Sequence, residues 1–478
     1  MKDIIIYTWL TAAAASGGSS PFWMGANQYG IFPEGAYSTV ALVGAKLPYN
    51  EANTIQWHAG AAVAGNLSRN SDFFADELYA GLRWKKISLD AGLWRHPQRY
   101  LADRPSLGTL SLTGGNFIMS GNARSMPGYS LDIAPFAIPG TRKIVWLFGR
   151  FGDYRTMDAR FAKNALVHNS LIGGRIDIGD RLKLTGSLEL WTQWGGDNGY
   201  DLGKVTLKNY LKIITFSSGG DDASAGSQES RLGNHIGLKS FQLSYRFDTW
   251  TLNLQQDSPF EDKSGLYFQN FPDGNWTVHV HRHKRLDWIT DALVEFQYTR
   301  SQSGEAHDRP ATPEEKAAQD PSDPYYGRIV LGGDDNYFNH LEYRSGWTHY
   351  GRVLGTSLFL FDPSLIKTGS YAVGNSPVWN NRLVAFHAAC SGYLLKDERY
   401  PYKLMLTGTR TWGTYLRPVE PANQIYTGFM GEVDGVLKFA RITYGLFADF
   451  GDVSGNHFGA QVGLRFSFFK KKFVSLRN

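Results

Sequence analysis

Two segments in the second half of the chain combine aromatic rings with amides and carboxylates, the side chains that bind sugars. They run from Gly332 to His340 and from Gly346 to Gly355. Converging polar and aromatic groups are the default hypothesis for a binding site, so we predict direct carbohydrate contacts here. The residues predicted to make them are Asp334, Asp335, Asn336, Tyr337, Asn339, Trp347 and Tyr350. The alternative is turns and polar packing, because Asn and Asp favour turns by bonding their own backbone.

Basic residues are close together in an earlier stretch of the chain, and the set comprises Arg95, His96, Arg99, Arg104 and Arg124. The planar fork of an arginine binds a carboxylate with two parallel hydrogen bonds. An acidic polysaccharide would therefore suit Arg95, Arg99 and Arg124. The alternative is that these arginines pair with Asp and Glu of the protein itself.

Three histidines alternate along one stretch, at His279, His281 and His283. On a strand they would share a face, and imidazoles at that spacing suit Zn²⁺. In the sequence, no Asp or Glu is nearer to them than Asp287. A strand face that points into water also accepts three histidines without a metal, so we predict neither a metal nor another cofactor.

Residues for catalysis cannot be paired along the chain. An activated serine needs a histidine beside it, and candidates such as His235 and Ser258 cannot be paired from sequence. Glu261 and Asp262 are adjacent, so their side chains would point apart on a strand and could not act together. We therefore predict that the protein is not an enzyme.

The elements that position these residues are amphipathic strands. From Phe458 to Phe468, apolar side chains alternate with Gly459, Gln461, Gly463, Arg465 and Ser467, so one strand face is apolar and the other polar. The length matches the roughly 9–11 residues with which a tilted strand crosses a bilayer. The same alternation occurs at 55–63, at 442–450, and on both sides of Lys85-Lys86, where it indicates a hairpin.

The repeated pattern predicts an all-β fold, a transmembrane antiparallel β-barrel of about 16–18 strands with a partly plugged lumen. Closure is required because an open sheet edge cannot lie in hydrocarbon. We expect a single domain over residues 1–478, in which 1–15 is either the first strand or a remnant signal segment. Two polar stretches, Ser301–Arg328 and Phe216–Arg231, are predicted to be long external loops. The predicted location is the bacterial outer membrane, and the predicted state is a monomer in contact with outer-membrane lipid.

Composition agrees with these expectations. Mean hydropathy is −0.32 and 14% of residues are aromatic, as expected when polar and apolar residues alternate. The net charge of +5 is spread along the chain, so we predict no nucleic-acid partner. Cys390 is the single cysteine, which excludes an intrachain disulfide.

Several local motifs are not explained by alternation. In chain order they are Pro21–Gly30, Ser120–Pro127, Trp194–Gly196, Gly233–Gly237, Glu261–Gly265, Asp273–Trp276, Tyr298–Gly304, Gly332–His340 and Gly346–Gly355. As an ordered set, they resemble the Wzi-type capsule-assembly family of outer-membrane proteins, over about Pro21 to Arg382.

The resemblance implies a non-enzymatic barrel of about eighteen strands that acts as a lectin. Wzi-type proteins help attach exported capsular polysaccharide to the cell surface, so the implied partner is a capsular or other surface polysaccharide. The best-studied members also carry a small periplasmic helical bundle, which we do not place in this sequence. The alternative function is a diffusion or uptake porin without a lectin role.

Overall fold

The structure is a computed structural model. The residues it describes are 4–50, 53–95, 105–199, 202, 204–217, 232–261, 263–302, 309–310, 312–322, 327–329, 335–367, 376–437 and 440–468.

One sheet of eighteen strands dominates the molecule. In chain order the strands are β1 Ile5–Ala15, β2 Tyr37–Leu47, β3 Ile55–Leu67, β4 Asp72–Trp84, β5 Ile87–Leu93, β6 Pro127–Ala137, β7 Val145–Arg155, β8 Leu166–Ile178, β9 Leu182–Trp194, β10 Asn234–Arg246, β11 Trp250–Phe260, β12 Gly274–Arg282, β13 Asp291–Tyr298, β14 Leu383–Tyr393, β15 Pro401–Gly413, β16 Pro418–Leu437, β17 Ala440–Gly451 and β18 His457–Phe468.

The sheet closes on itself. Each strand pairs antiparallel with the next, and β1 pairs with β18 from Ile6 opposite Phe468 to Ala15 opposite Gly459. Closure leaves no open edge, which is the condition for a sheet to cross a membrane. The predicted all-β barrel of 16–18 strands is confirmed, and Ile5–Ala15 forms its first strand.

The outer face of the wall is apolar, as the alternation predicts. Trp57, Phe386 and Val462 are 60%, 61% and 57% exposed on it, whereas the intervening positions face the lumen. On β18 the residues that alternate with Val462, such as Gln461, are buried against the interior.

The two ends of the barrel differ in their connections. Short turns lie at the end where β1 begins and β18 ends, for example at Lys85-Lys86 between β4 and β5. Long loops lie at the opposite end, and we name them L1 (16–36), L3 (94–126), L5 (195–233), L6 (261–273) and L7 (299–382). Short turns face the periplasm and long loops face outward in barrels of this kind.

The helices are short. Their bounds are α1 Phe22–Gly25, α2 Pro105–Leu110, α3 Leu207–Ile214, α4 Lys263–Leu266 and α5 Pro313–Ala317, with 3₁₀ turns at Pro363–Leu365 and Leu394–Lys396. Two-residue ladders join Arg309–Pro310 to Arg328–Ile329 and Thr348–His349 to Arg352–Val353. No helix among the described ranges combines the length and apolarity needed to cross a membrane.

Both predicted polar loops lie within the long connections at the outer end. Ser301–Arg328 belongs to L7, where α5 interrupts it with a capping box between Thr312 and Glu315, and its residues 303–308, 311 and 323–326 lie outside the described residues. Phe216–Arg231 belongs to L5, and residues 218–231 lie outside the described residues.

Three of the long loops fold into the lumen and pack there as a plug. Their buried apolar side chains include Trp23 of L1, Phe117 of L3 and Phe359 of L7. This core is continuous with lumen-facing residues of the wall on strands β1, β7–β10 and β13–β17. The plug that partly fills the lumen therefore consists of loops that enter from the outer end of the barrel.

Candidate functional site

Two carboxylates of the barrel wall hold the plug. Glu295 of β13 accepts hydrogen bonds from Ser111 Oγ at 2.7 Å and from the Leu112 amide at 2.7 Å. Glu189 of β9 accepts one from Asn116 Nδ2 at 2.7 Å. L3 is therefore fixed to two strands of the wall by hydrogen bonds to carboxylates, which are the stronger kind.

Tyr337, in the first predicted sugar-binding segment, lies inside the plug. Its side chain is fully buried, and its hydroxyl donates to Asp273 Oδ2 at 2.8 Å and accepts from Asn270 Nδ2 at 2.9 Å. Burial, reinforced by the Asp273 charge, raises the pKa of Tyr337 well above its ordinary value. The ring and hydroxyl are both occupied by contacts within the protein.

The amides of the same segment bond to one another and to nearby backbone. Asn339 Nδ2 donates to Asn336 Oδ1 at 3.0 Å and to Val378 O at 2.9 Å. Asn381 Nδ2 donates to the same Asn336 oxygen at 2.7 Å. Asp335 is buried beside them, and Asp334 lies outside the described residues.

Trp347, in the second predicted segment, joins L7 to L3. Its side chain is fully buried, and its Nε1 donates to Ile118 O at 2.6 Å. The indole also packs near the lumen-facing Trp191, with ring centroids 6.0 Å apart. Trp347 therefore stabilises the plug interior.

Tyr350 and Arg124 lie instead at the outer mouth, where the Arg124 side chain keeps 14% of its surface exposed. Tyr350 is 45% exposed and lies beside Met157, which is 57% exposed. The Arg124 guanidinium stacks between Phe74, at 3.4 Å, and Tyr350, at 4.7 Å. Its Nη2 donates to Asp72 Oδ2 at 2.6 Å. We name Tyr350, Met157, Arg124 and Asp72 the mouth cluster.

His349 lies beneath the mouth cluster and forms hydrogen bonds with the backbone of two of its members. Its Nε2 accepts from the Met157 amide at 3.1 Å, so Nδ1 carries the proton and donates to Arg124 O at 2.9 Å. Burial lowers the pKa of His349 below its ordinary value and favours this neutral form. Burial also raises the pKa of the neighbouring Tyr350.

The remaining predicted arginines fall in different places. Arg95 donates from Nη2 to Asp76 Oδ2 at 2.7 Å and stacks over Tyr29 at 4.5 Å, an arrangement internal to the protein. Arg99, together with His96 and Arg104, lies outside the described residues.

Among the described residues, the three histidines are not arranged as a metal site. His279 and His281 share a face of β12 and both contact Asp291 Oδ1, at 3.3 and 2.8 Å. The strand ends at Arg282, so His283 does not belong to that face. Asp291 could not be recognised as their partner from the sequence, because only the register of β12 and β13 brings it opposite His281. In the described part of the chain, no three His, Cys, Asp or Glu side chains are arranged so that they could hold a metal ion.

The other candidates are also separated. His235 bonds to Thr192 Oγ1 at 2.8 Å and to Leu232 O at 2.9 Å, and not to Ser258. Glu261 accepts from the Phe338 amide at 2.6 Å, whereas Asp262 is not among the described residues.

The mouth cluster has the chemistry to hold a sugar. An exposed aromatic ring offers a stacking surface, and a guanidinium and a carboxylate beside it offer hydrogen-bond donors and acceptors for hydroxyl or acidic groups. Of the residues predicted from sequence, Tyr350 and Arg124 are the described members that reach this surface. Met157 and Asp72 were missed, because the β7–β8 connection and the start of β4, both distant in sequence from Tyr350, bring them there.

Comparisons with known proteins support the fold. No family model and no curated protein matches the chain. The chain is similar to the solved structure of Wzi of Escherichia coli, described as a carbohydrate-binding β-barrel of the outer membrane involved in group 1 capsule assembly. The TM-score is 0.54 and the identity 14%, over 96% of this chain and 83% of that chain.

Pseudomonas aeruginosa proteins also match. OpdQ has a TM-score of 0.48 and 11% identity, over 98% of this chain and 99% of that chain. OprD has a TM-score of 0.46 and 10% identity, over 98% of this chain and 94% of that chain. At 14% identity, the likeness to the Wzi structure concerns the fold alone. With its closed antiparallel sheet and apolar outer face, the chain is a bacterial outer-membrane β-barrel.

Proposed function

We propose that the protein binds surface polysaccharide at its outer mouth and assists capsule assembly by holding capsular polysaccharide on the cell. The observation that carries this proposal is the packed plug beneath an exposed aromatic and charged mouth cluster. The likeness to the carbohydrate-binding Wzi barrel supports the same function. Binding of this kind requires no catalytic step.

The plug favours a binding role over a diffusion porin. Its apolar core is continuous with the wall on many strands, and Glu295 and Glu189 anchor it by hydrogen bonds. Small solutes would have to cross this packed interior, whereas a polysaccharide needs only the outer surface.

Within the predicted sites, we propose that Tyr350 and Arg124 make the direct glycan contacts. Asp335, Asn336, Tyr337, Asn339 and Trp347 would shape the support beneath them, since their polar atoms bond within the plug or their side chains are buried. Arg124 already stacks on Tyr350, so a sugar carboxylate could bind the guanidinium while the sugar ring covers the tyrosine.

Glycan-array binding by purified protein tests the site. Tyr350→Ala should weaken binding about tenfold, because removal of an aromatic anchor costs about 1–2 kcal/mol. The matched control is Tyr267→Ala, since Tyr267 is 72% exposed and belongs to L6, which contributes no residue to the mouth cluster. Equal weakening by both variants would place the glycan elsewhere.

Deletion of the gene tests the cellular role. Capsule should be released into the medium while its synthesis continues. Capsule that stays bound to the cells would contradict the proposed function, and a large steady conductance of the purified protein in planar bilayers would favour a porin.

A further inference from the structure

Three polar side chains lie together on the outward, lipid-facing side of the wall. Asp153 of β7 is directly opposite His168 of β8 in the strand register. Ser170 is two residues beyond His168, so both point to the same face. The outward direction is fixed by Ile172, next on that face and 67% exposed, while the alternate residue Val167 is buried in the lumen core.

Their hydrogen bonds follow the order of a serine-hydrolase triad. His168 Nδ1 lies 2.9 Å from Asp153 Oδ1, and His168 Nε2 lies 2.8 Å from Ser170 Oγ. A carboxylate only accepts, so Nδ1 carries the imidazole proton and Nε2 is left to accept from the serine hydroxyl. A base paired with a nucleophile and oriented by a third group is the arrangement that activates serine.

Neighbouring groups hold this geometry. The hydroxyls of Tyr129 and Tyr210 donate to the second carboxylate oxygen, Asp153 Oδ2, at 2.5 and 2.7 Å. Tyr210 belongs to α3 of L5, which packs against the outer face of β8. The His168 ring is fully buried and meets Phe151 edge-on at 4.7 Å, whereas Ser170 is partly exposed.

The surroundings fit a lipid acyl chain. Ser170 is four residues from the outer end of β8, roughly 10 Å below it along a tilted strand, which is the level of the outer leaflet. Below it, past Ile172 and Leu188, a concave groove of about 940 Å³ follows the outer wall. Its lining includes Ile176, Leu184, Phe241, Trp276 and Val278.

We propose that Ser170, His168 and Asp153 form a second functional site, which hydrolyses ester-linked acyl chains of outer-leaflet lipids. Ser170 Oγ attacks the ester carbonyl carbon while His168 Nε2 takes the hydroxyl proton. The carbon–oxygen bond to the lipid alcohol then breaks, and His168 returns the proton to that alcohol. Water attacks the acyl-Ser170 ester with His168 again as base, which releases the fatty acid and restores the serine. Asp153 is a positioning residue that acts through His168.

The sequence alone predicts no enzyme because its candidate groups could not be paired. The fold instead brings together Ser170, His168 and Asp153. In the sequence, the sign of this site is a histidine and a serine two residues apart on a strand, His168 and Ser170. The third member lies across a loop, and only the register places it.

The test uses the purified full-length barrel in detergent, with its folded state monitored by heat-modifiable gel mobility. A fluorophosphonate probe should label Ser170, as mapped by mass spectrometry, and a diester phospholipid should release fatty acid while its diether analogue should not. Ser170→Ala should abolish labelling and turnover. Asp153→Asn should lower kcat roughly 100-fold or more with KM unchanged.

The matched control is Ser187→Ala on β9, a serine on the lumen side of the wall, which should leave labelling and turnover intact. Folded wild-type protein that neither reacts with the probe at Ser170 nor releases fatty acid would overturn the proposal. Turnover that persists in Ser170→Ala would do the same. Neither result depends on polysaccharide binding.

Discussion

At the scale of single residues, environment separates side chains of the same type. Tyr337 and Tyr350 are both tyrosines in predicted sugar-binding segments, yet Tyr337 is fully buried and Tyr350 is 45% exposed. The first can only contribute to the plug, whereas the second can meet a ligand. Residue type and spacing identify the segments, but not which side of each segment faces solvent.

The protonation of His349 gives a prediction at this scale. Burial lowers its folded-state pKa below the ordinary 6.5, so the unfolded state binds more protons just below that pH. The stability that neutral His349 contributes to the folded protein is present above pH 6.5. It is lost as the pH falls through the folded-state pKa of His349. Protonation of Nε2 also removes its acceptor for the Met157 amide. The charged groups that act on the His349 ring are Asp158, Arg160 and Arg124.

We therefore expect faster hydrogen exchange at the Met157 amide as pH falls from 7.5 to 5.5, after correction for intrinsic exchange. The control is His349→Gln, which keeps an acceptor but does not titrate in this range. The same pH dependence in both proteins would assign the effect to another group.

At the scale of elements, the strands follow their two-residue period closely. Outward positions of β18 such as Val462 are exposed, and Gln461 faces the lumen, as the alternation predicts. A one-residue slip would exchange the two faces, so the buried plug and the lipid together fix the register.

Substitutions on β18 test this assignment. Leu464 faces outward, between Leu10 of β1 and Ile442 of β17. Leu464→Arg should lower the free energy of unfolding in lipid vesicles by about 2–4 kcal/mol, because it places a charge in hydrocarbon. Gln461→Ala should cost less than about 1 kcal/mol, since Gln461 Oε1 has no hydrogen-bond partner among the residues that the structure describes. Similar losses for both would mean that the lipid face is misassigned.

At the scale of the whole molecule, loops from the outer end fold into the lumen and pack against the barrel wall. Glu295 joins wall and plug, since it accepts from Ser111 and Leu112 of L3 and from Asn275 and Thr277 of β12. Hydrogen bonds to a charged group contribute about 1.5–3 kcal/mol each, so Glu295 alone contributes substantially to holding the plug in the lumen.

Glu295→Ala should therefore loosen L3 and open the lumen. We expect low conductance for the wild-type protein in planar bilayers, and frequent larger openings for the variant. The control is Glu432→Gln, because Glu432 pairs with Arg441 and Arg465 of the wall and not with the plug. A conductance unchanged by Glu295→Ala would show that other contacts suffice to hold the plug.

The sequence by itself determined the barrel, because alternation is local: each strand's two faces are set by neighbours two residues apart. It also singled out, as candidate sugar-binding motifs, two segments that the structure places in the plug and at its mouth. Only the tertiary structure decided that Tyr337 and Trp347 are buried, that Asp291 meets His281, and that Asp153 meets His168. These outcomes depend on strand register and on loops returning into the lumen, which join residues far apart in the chain and leave no periodic signal.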